Sequence, residues 1–141
     1  MPEASNEITI AQPPEVVFAY LADAENDPEW RPGVVEITRQ HGEGVGTRYR
    51  QIMGSGRRRI NADIEITEYE PDRRLAFRTV VGPVRPAGAY ELTAADGGTR
   101  VRFSLRADLT GPKRLMAPMV RKTMVSEVGN LENLKRRLEA R

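Results

Sequence analysis

The chain has 141 residues, 39% of them hydrophobic and 30% charged, with 22 Lys and Arg against 20 Asp and Glu for a net charge of +2. That length suits one domain with a genuine core, residues 1–141 together, and so small a charge excess gives no strong overall field, although the pI is 9.2. The lack of cysteine excludes a disulfide framework and thiol chemistry, and no apolar run approaches the roughly 20 residues that a membrane span needs.

Met1 to Asn6 is polar and lacks the apolar region of a signal peptide, so the expected location is the cytoplasm, with no stable membrane insertion. Arginine outnumbers lysine 19 to 3, a codon signature of a GC-rich bacterial genome. Glu7 to Ala11 alternates around Ile8 and Ile10 and reads as a first strand. Pro13-Pro14 opens a helix whose inner face carries Val17, Phe18 and Leu21. Asn26 to Trp30 reads as a very short helix or turn, broken by Pro32-Gly33. Val34 to Gln40 is the next strand, with Val35 and Ile37 on one face. Gly42 to Gly46 turns into a strand over Thr47 to Met53. After Gly54-Ser55-Gly56, a long strand is expected over Arg58 to Tyr69, with Ile60, Ala62, Ile64 and Ile66 on one face. Pro71-Asp72 turns into Leu75 to Val81, a stiff loop follows at Gly82 to Pro86, and Gly88 to Ala94 is a strand. Thr99 to Leu109 alternates without a break: Val101, Phe103, Leu105, Ala107 and Leu109 face one way, Arg100, Arg102, Ser104, Arg106 and Asp108 the other. A loop over 95–98 pairs Leu92 with Val101 and Tyr90 with Phe103. Short connections imply an antiparallel meander with one dry face.

Pro112 to Glu139 is the segment long enough to cover such a sheet. Met116, Met119, Val120, Met124, Val128, Leu131, Leu134 and Leu138 form an apolar stripe, with Arg121, Lys122, Glu127, Asn130, Asn133 and Arg137 opposite. At 1.5 Å per residue the helix spans about 40 Å. Pro118 is either an internal kink, a natural gate, or simply the start of the main helix. Gly129 either packs closely on a strand or weakens the helix.

The order of strand, two short helices, about six antiparallel strands and a long helix is an α+β helix-grip layout. Several segments also resemble one known family. They are Pro13 to Phe18, Pro28 to Gly33, Gly44 to Thr47, Glu68 to Leu75, Gly97 to Val101 and Leu131 to Lys135. Together, from about Ile8 to Glu139, they resemble the START-like, Bet v 1-like superfamily, and within it the bacterial polyketide cyclase/dehydrase and lipid-transport (SRPBCC) proteins. The resemblance implies a cavity between the long helix and a concave sheet of about seven strands. The dry face supplies its candidate lining: Tyr49, Met53, Ile60, Ile64, Phe77, Tyr90, Phe103 and Leu105, closed by Met116, Met119, Val120 and Met124. The family's matching loop would put Trp30 near the mouth. Methionines at one helix end suit ligands of varying shape.

The lone histidine, His41, has no accompanying acid or second histidine, so neither a metal site nor a cofactor is expected. Gly42-x-Gly44-x-Gly46 enters a strand and is a turn rather than a dinucleotide fingerprint. The arginine runs lie at hairpin ends among acids, without a stacking platform, which argues against nucleic acid. The polar groups available to a cavity are Tyr49, Tyr90 and Gln51. Arg78 faces solvent by strand parity, and no acid–base pair is placed together by spacing. The expected function is binding or transport of a small hydrophobic molecule such as a lipid, polyketide or isoprenoid, by a monomer or homodimer. The alternatives are a polyketide cyclase/dehydrase and a protein-interaction module.

Overall fold

In the computed structural model the sheet is antiparallel throughout, as the short connections require. The structure describes residues 1–141, the side chain of Ser55 excepted. The strands are β1 (Glu3–Ile10), β2 (Val34–His41), β3 (Arg48–Ser55), β4 (Arg58–Asn61), β5 (Ile64–Glu70), β6 (Arg74–Thr79), β7 (Ala87–Ala95) and β8 (Gly98–Arg106). They lie in the order β1-β8-β7-β6-β5-β3-β2, with β4 paired to β3 alone. Helix α1 (Pro14–Ala22) and a 3-10 helix (Ala24–Glu29) follow β1, and the chain ends in a 3-10 segment (Gly111–Met116), α2 (Ala117–Gly129) and α3 (Leu131–Glu139).

The alternation of β8 translates directly into register. Tyr90 pairs with Phe103 and Leu92 with Val101, and the inward side chains Val101, Phe103 and Leu105 are buried. β1 starts at Glu3, earlier than its apolar pattern suggests, because it runs the length of β8 from Glu3–Arg106 to Ile10–Thr99. Its first half is recruited by the neighbour's free ladder groups and not by burial of its own side chains.

Two local expectations are corrected, and the alternatives left open at Pro118 and Gly129 are decided. The long strand over 58–69 is two strands. Ala62 N–H donates to Gln51 O, Asp63 Oδ1 accepts from Gln51 N, and Val80 N–H donates to Asp63 O. Asp63 thus serves two strands at the break, and β4 swings off the main path. In β2 it is Val34 and Ile37 that are buried, while Val35 is 46% exposed. A register shift between Val34 and Glu36 changes the facing side. Pro118 stands in the first turn of α2, where its missing N–H is tolerated; the Gly111–Met116 piece is a separate segment. Gly129 is the last residue of α2 and packs on nothing.

The long C-terminal helix is α2 and α3 together. Asn130, between them, keeps a helical backbone (φ −68°, ψ −8°), so the apolar stripe runs on through Val120, Met124, Val128, Leu131, Leu134 and Leu138, all buried. This stripe lies against the concave face of the sheet, chiefly over β1 and β8, giving a helix-grip fold.

Candidate functional site

The middle of the concave face is aromatic. Tyr90 and Phe103 are directly opposed on β7 and β8, their ring centroids 4.5 Å apart, with Phe77 of β6 at 6.0 Å from Tyr90. Trp30 closes this group from the other side, 6.1 Å edge-on from both Tyr90 and Phe103. It reaches the interior because the 3-10 helix ends in a tight turn, where Trp30 N–H and Arg31 N–H both donate to Asp27 O. Asn133 of α3 then pins that turn through a 3.1 Å bond from Nδ2 to Trp30 O.

Next to the rings lies a buried ionic cluster. The Arg31 guanidinium contacts Asp27 Oδ2 at 2.8 Å through Nη1 and Glu127 Oε1 at 2.6 Å through Nη2. Its Nε donates to Glu127 Oε1 at 2.8 Å, and its Nη1 to Gln51 Oε1 at 3.2 Å. Gln51 Nε2 passes the chain on to Ala62 O at 3.0 Å. Arg31, Asp27 and Gln51 are 7%, 4% and 4% exposed. Glu127 takes a further bond from Asn130 Nδ2. One residue each from α2, β3 and the 3-10 helix therefore converges on the loop arginine.

Burial decides the protonation chemistry here. It pushes the Asp27 carboxyl up to about 6, against the opposing pull of Arg31. For Arg31 burial acts downward, but Glu127 and Asp27 outweigh it and the guanidinium is held charged. The Tyr90 phenol is driven far up, by burial first and then by the Asp27 charge. Burial also raises Tyr49, whose hydroxyl donates to Ala22 O. The Trp30 indole N–H lies near enough to Asp27 to help hold that carboxylate down, yet reaches no hydrogen-bond partner. It is the one such buried side-chain polar atom among the described residues.

Of the residues expected to line an interior, Trp30, Tyr49, Ile64, Phe77, Tyr90, Phe103, Leu105, Val120 and Met124 are buried there, and Met53 and Met116 pack partly against them. Two are not. Ile60 is 40% exposed because β4 leaves the main sheet, and Met119 is 59% exposed because α2 turns Val120 and Met124 inward instead. Glu127, Asn130 and Asn133, assigned to the polar face of the helix, instead bind the Trp30–Arg31 turn and one another. The sequence carried one trace of the cluster: Asp27 and Arg31 are four residues apart in a Pro-containing turn. Nothing local pointed to Glu127. Arg78 is paired with Glu65 on the outer face. His41 is exposed, and among the described residues no three His, Cys, Asp or Glu side chains gather as metal ligands.

One open pocket of about 720 Å³ runs between Val125 and Val128 of α2 and the strands β1, β6, β7 and β8, where apolar Ala4, Phe77 and Leu105 share it with charged Glu3, Arg74, Arg102 and Arg106. Gly88 lets the sheet close at this point: a Cβ there would lie 2.6 Å from Phe77 Cζ and 2.7 Å from Leu105 Cδ2.

Residues 1–139 match the family described as polyketide cyclase / dehydrase and lipid transport. Rv2574, an uncharacterised protein of Mycobacterium tuberculosis, is 33% identical over 115 residues, covering 77% of this chain and 67% of its own. TTHA0849 of Thermus thermophilus superposes with a TM-score of 0.83 at 27% identity, over 99% of this chain and 98% of that one. The di-domain ARO/CYC protein StfQ of the steffimycin biosynthetic pathway superposes at 0.82 with 14% identity, over 98% of this chain and 50% of that one, a likeness of fold alone. The chain belongs to the polyketide cyclase/dehydrase and lipid-transport family.

Proposed function

We propose that this protein binds a small, largely apolar molecule bearing an oxygen acceptor, of lipid, polyketide or isoprenoid type, between α2 and the concave sheet face. The Trp30 indole N–H carries the reading. That donor has only a loose approach to Asp27 and no partner at hydrogen-bond geometry, so a ligand carbonyl or hydroxyl would recover part of the about 1–3 kcal/mol that an unsatisfied buried donor costs, and Phe77, Tyr90 and Phe103 offer the apolar contact around it. Phe77, which both lines the open pocket beside Val125 and Val128 and lies 6.0 Å from Tyr90, would mark the way in. Binding is favoured over catalysis because the Arg31 donors already point at Asp27, Gln51 and Glu127, so little of the cluster is left to act on a substrate.

Trp30 is the only tryptophan, so its emission reports on the interior directly. Titration with a long-chain fatty acid and with a planar anthraquinone should give a saturable change in emission for at least one of them. Trp30→Phe should then weaken that ligand about fivefold or more by calorimetry, as loss of one hydrogen bond requires. No change with either compound, or full affinity in the variant, rejects the reading.

A cyclase-type activity is the second reading, and one observation favours it: a carboxyl held near 6 beside a phenol, within the range useful for proton transfer at neutral pH. Asp27 would then take a proton from a poly-β-keto chain, and Asp27→Asn would abolish cyclisation while sparing binding. Equal turnover by the variant removes this reading.

A further inference from the structure

The rim around the start of α2 has a composition unlike the rest of the chain. Residues 110–126 contain Lys113, Arg114, Arg121 and Lys122 and no acid, a charge of +4 against +2 for the whole protein. The remainder therefore sums to −2. All four bases are exposed. Between them project the two most prominent apolar side chains of this region, Leu115 at 88% exposure and Met119 at 59%. The Gly111–Met116 segment buries none of its residues. Lys113 Nζ donates to Pro83 O at 2.7 Å, which ties the segment to the β6–β7 loop. That loop, residues 80–86, adds exposed Arg85 and again no acid. Five exposed bases and no acid thus lie in the two segments tied together next to these bare aliphatic tips.

We infer that this rim docks on the surface of an anionic lipid bilayer. The bases meet the headgroup phosphates, and Leu115 and Met119 enter the acyl boundary, as in interfacial amphipathic segments. Phosphate contact alone would explain the bases and leave two large apolar side chains in water without a role. No helix here is long and apolar enough to cross a membrane, so the attachment is peripheral and reversible. The inference does not depend on what the interior holds.

The test is flotation of the full chain with vesicles rich in phosphatidylglycerol and with vesicles of pure phosphatidylcholine. The protein should float with the anionic vesicles at least about tenfold better than with the neutral ones, and raised salt should release it. The variant K113Q/R114Q/R121Q/K122Q should lose at least about tenfold of the anionic binding. Leu115→Ser/Met119→Ser should lose most of it with the charge unchanged. All six side chains are exposed, so unchanged circular dichroism and melting are expected and verify folding. Equal flotation with both vesicles, no flotation, or undiminished binding by either variant overturns the inference. So does retention on an acidic protein or a nucleic acid without flotation, which would make the rim a polyanion site.

Discussion

Arg31→Met is the sharpest perturbation of this fold. The side chain keeps much of its stem but loses the guanidinium, leaving Asp27 and Glu127 facing one another without a cation, with side-chain exposures of 6% and 13%. Breaking a buried pair by removing one partner costs about 3–5 kcal/mol, whereas an exposed pair is worth about 1 kcal/mol or less. At about 2.1 cal/mol/K per residue, a chain of this length has an unfolding entropy near 0.3 kcal/mol/K. The melting point should therefore fall by about 10–17 °C, read by differential scanning calorimetry at neutral pH. The penalty comes from the stranded carboxylates, so Asp27→Leu/Arg31→Met/Glu127→Met should recover most of the loss. A fall of less than about 3 °C for the single variant would mean that the cluster behaves as a solvated pair and that the reasoning is wrong.

Other perturbations test other parts of the account. Asp27 has a folded-state pKa of about 6, above its ordinary 3.8. The folded state thus holds the proton more tightly, and this contribution to stability is full below pH 3.8 and lost as pH rises through about 6. Glu29 and Glu139 are shifted down, by Tyr20 and Lys135 respectively, and act with the opposite sign. The difference between wild type and Asp27→Asn isolates the Asp27 term. Wild type should lose stability relative to the variant as pH rises from 4 to 6, by about 2–3 kcal/mol in urea titrations; a constant difference refutes it. In Gly98→Ala the new Cβ would lie 1.9 Å from Ile10 O. That obstacle is backbone, so β1 must shift, and a loss of about 3 kcal/mol is expected; an unchanged urea midpoint contradicts it. Leu134→Ala, at a fully buried site, should cost about 2–5 kcal/mol, while Leu115→Ala should stay within about 0.5 kcal/mol. Similar values for the two would deny that the helix has a buried and a bare side.

Where a residue's environment is decided by its own strand or helix period, the sequence shows it. The β8 alternation is of this kind, and so is the stripe from Val120 to Leu138, because burial of one face imposes a period of two or of three to four. The resemblance to START-like proteins rests on turn and framework segments, and those specify the fold well. Where the environment depends on a partner distant in the chain, the period misleads. Ile60 continues an alternating run, yet the Asp63 break sends it outward. Met119 belongs to the apolar stripe on paper, and only the true start of α2 shows which side it takes. Glu127 reads as a solvated helix residue, and its role follows from Arg31, 96 residues earlier. An interior for which spacing placed no acid–base pair together instead contains a charged cluster, although that cluster is largely satisfied within the protein.

Native mass spectrometry with organic extraction, on protein purified from its own host, tests the central claim most directly. The account predicts a co-purifying hydrophobic molecule carrying at least one oxygen, retained by Met119→Ser at the surface and lost on Phe103→Arg in the interior, provided that variant remains folded by circular dichroism. A clean apo mass, with no thermal shift across lipid, polyketide and isoprenoid compounds, would contradict it.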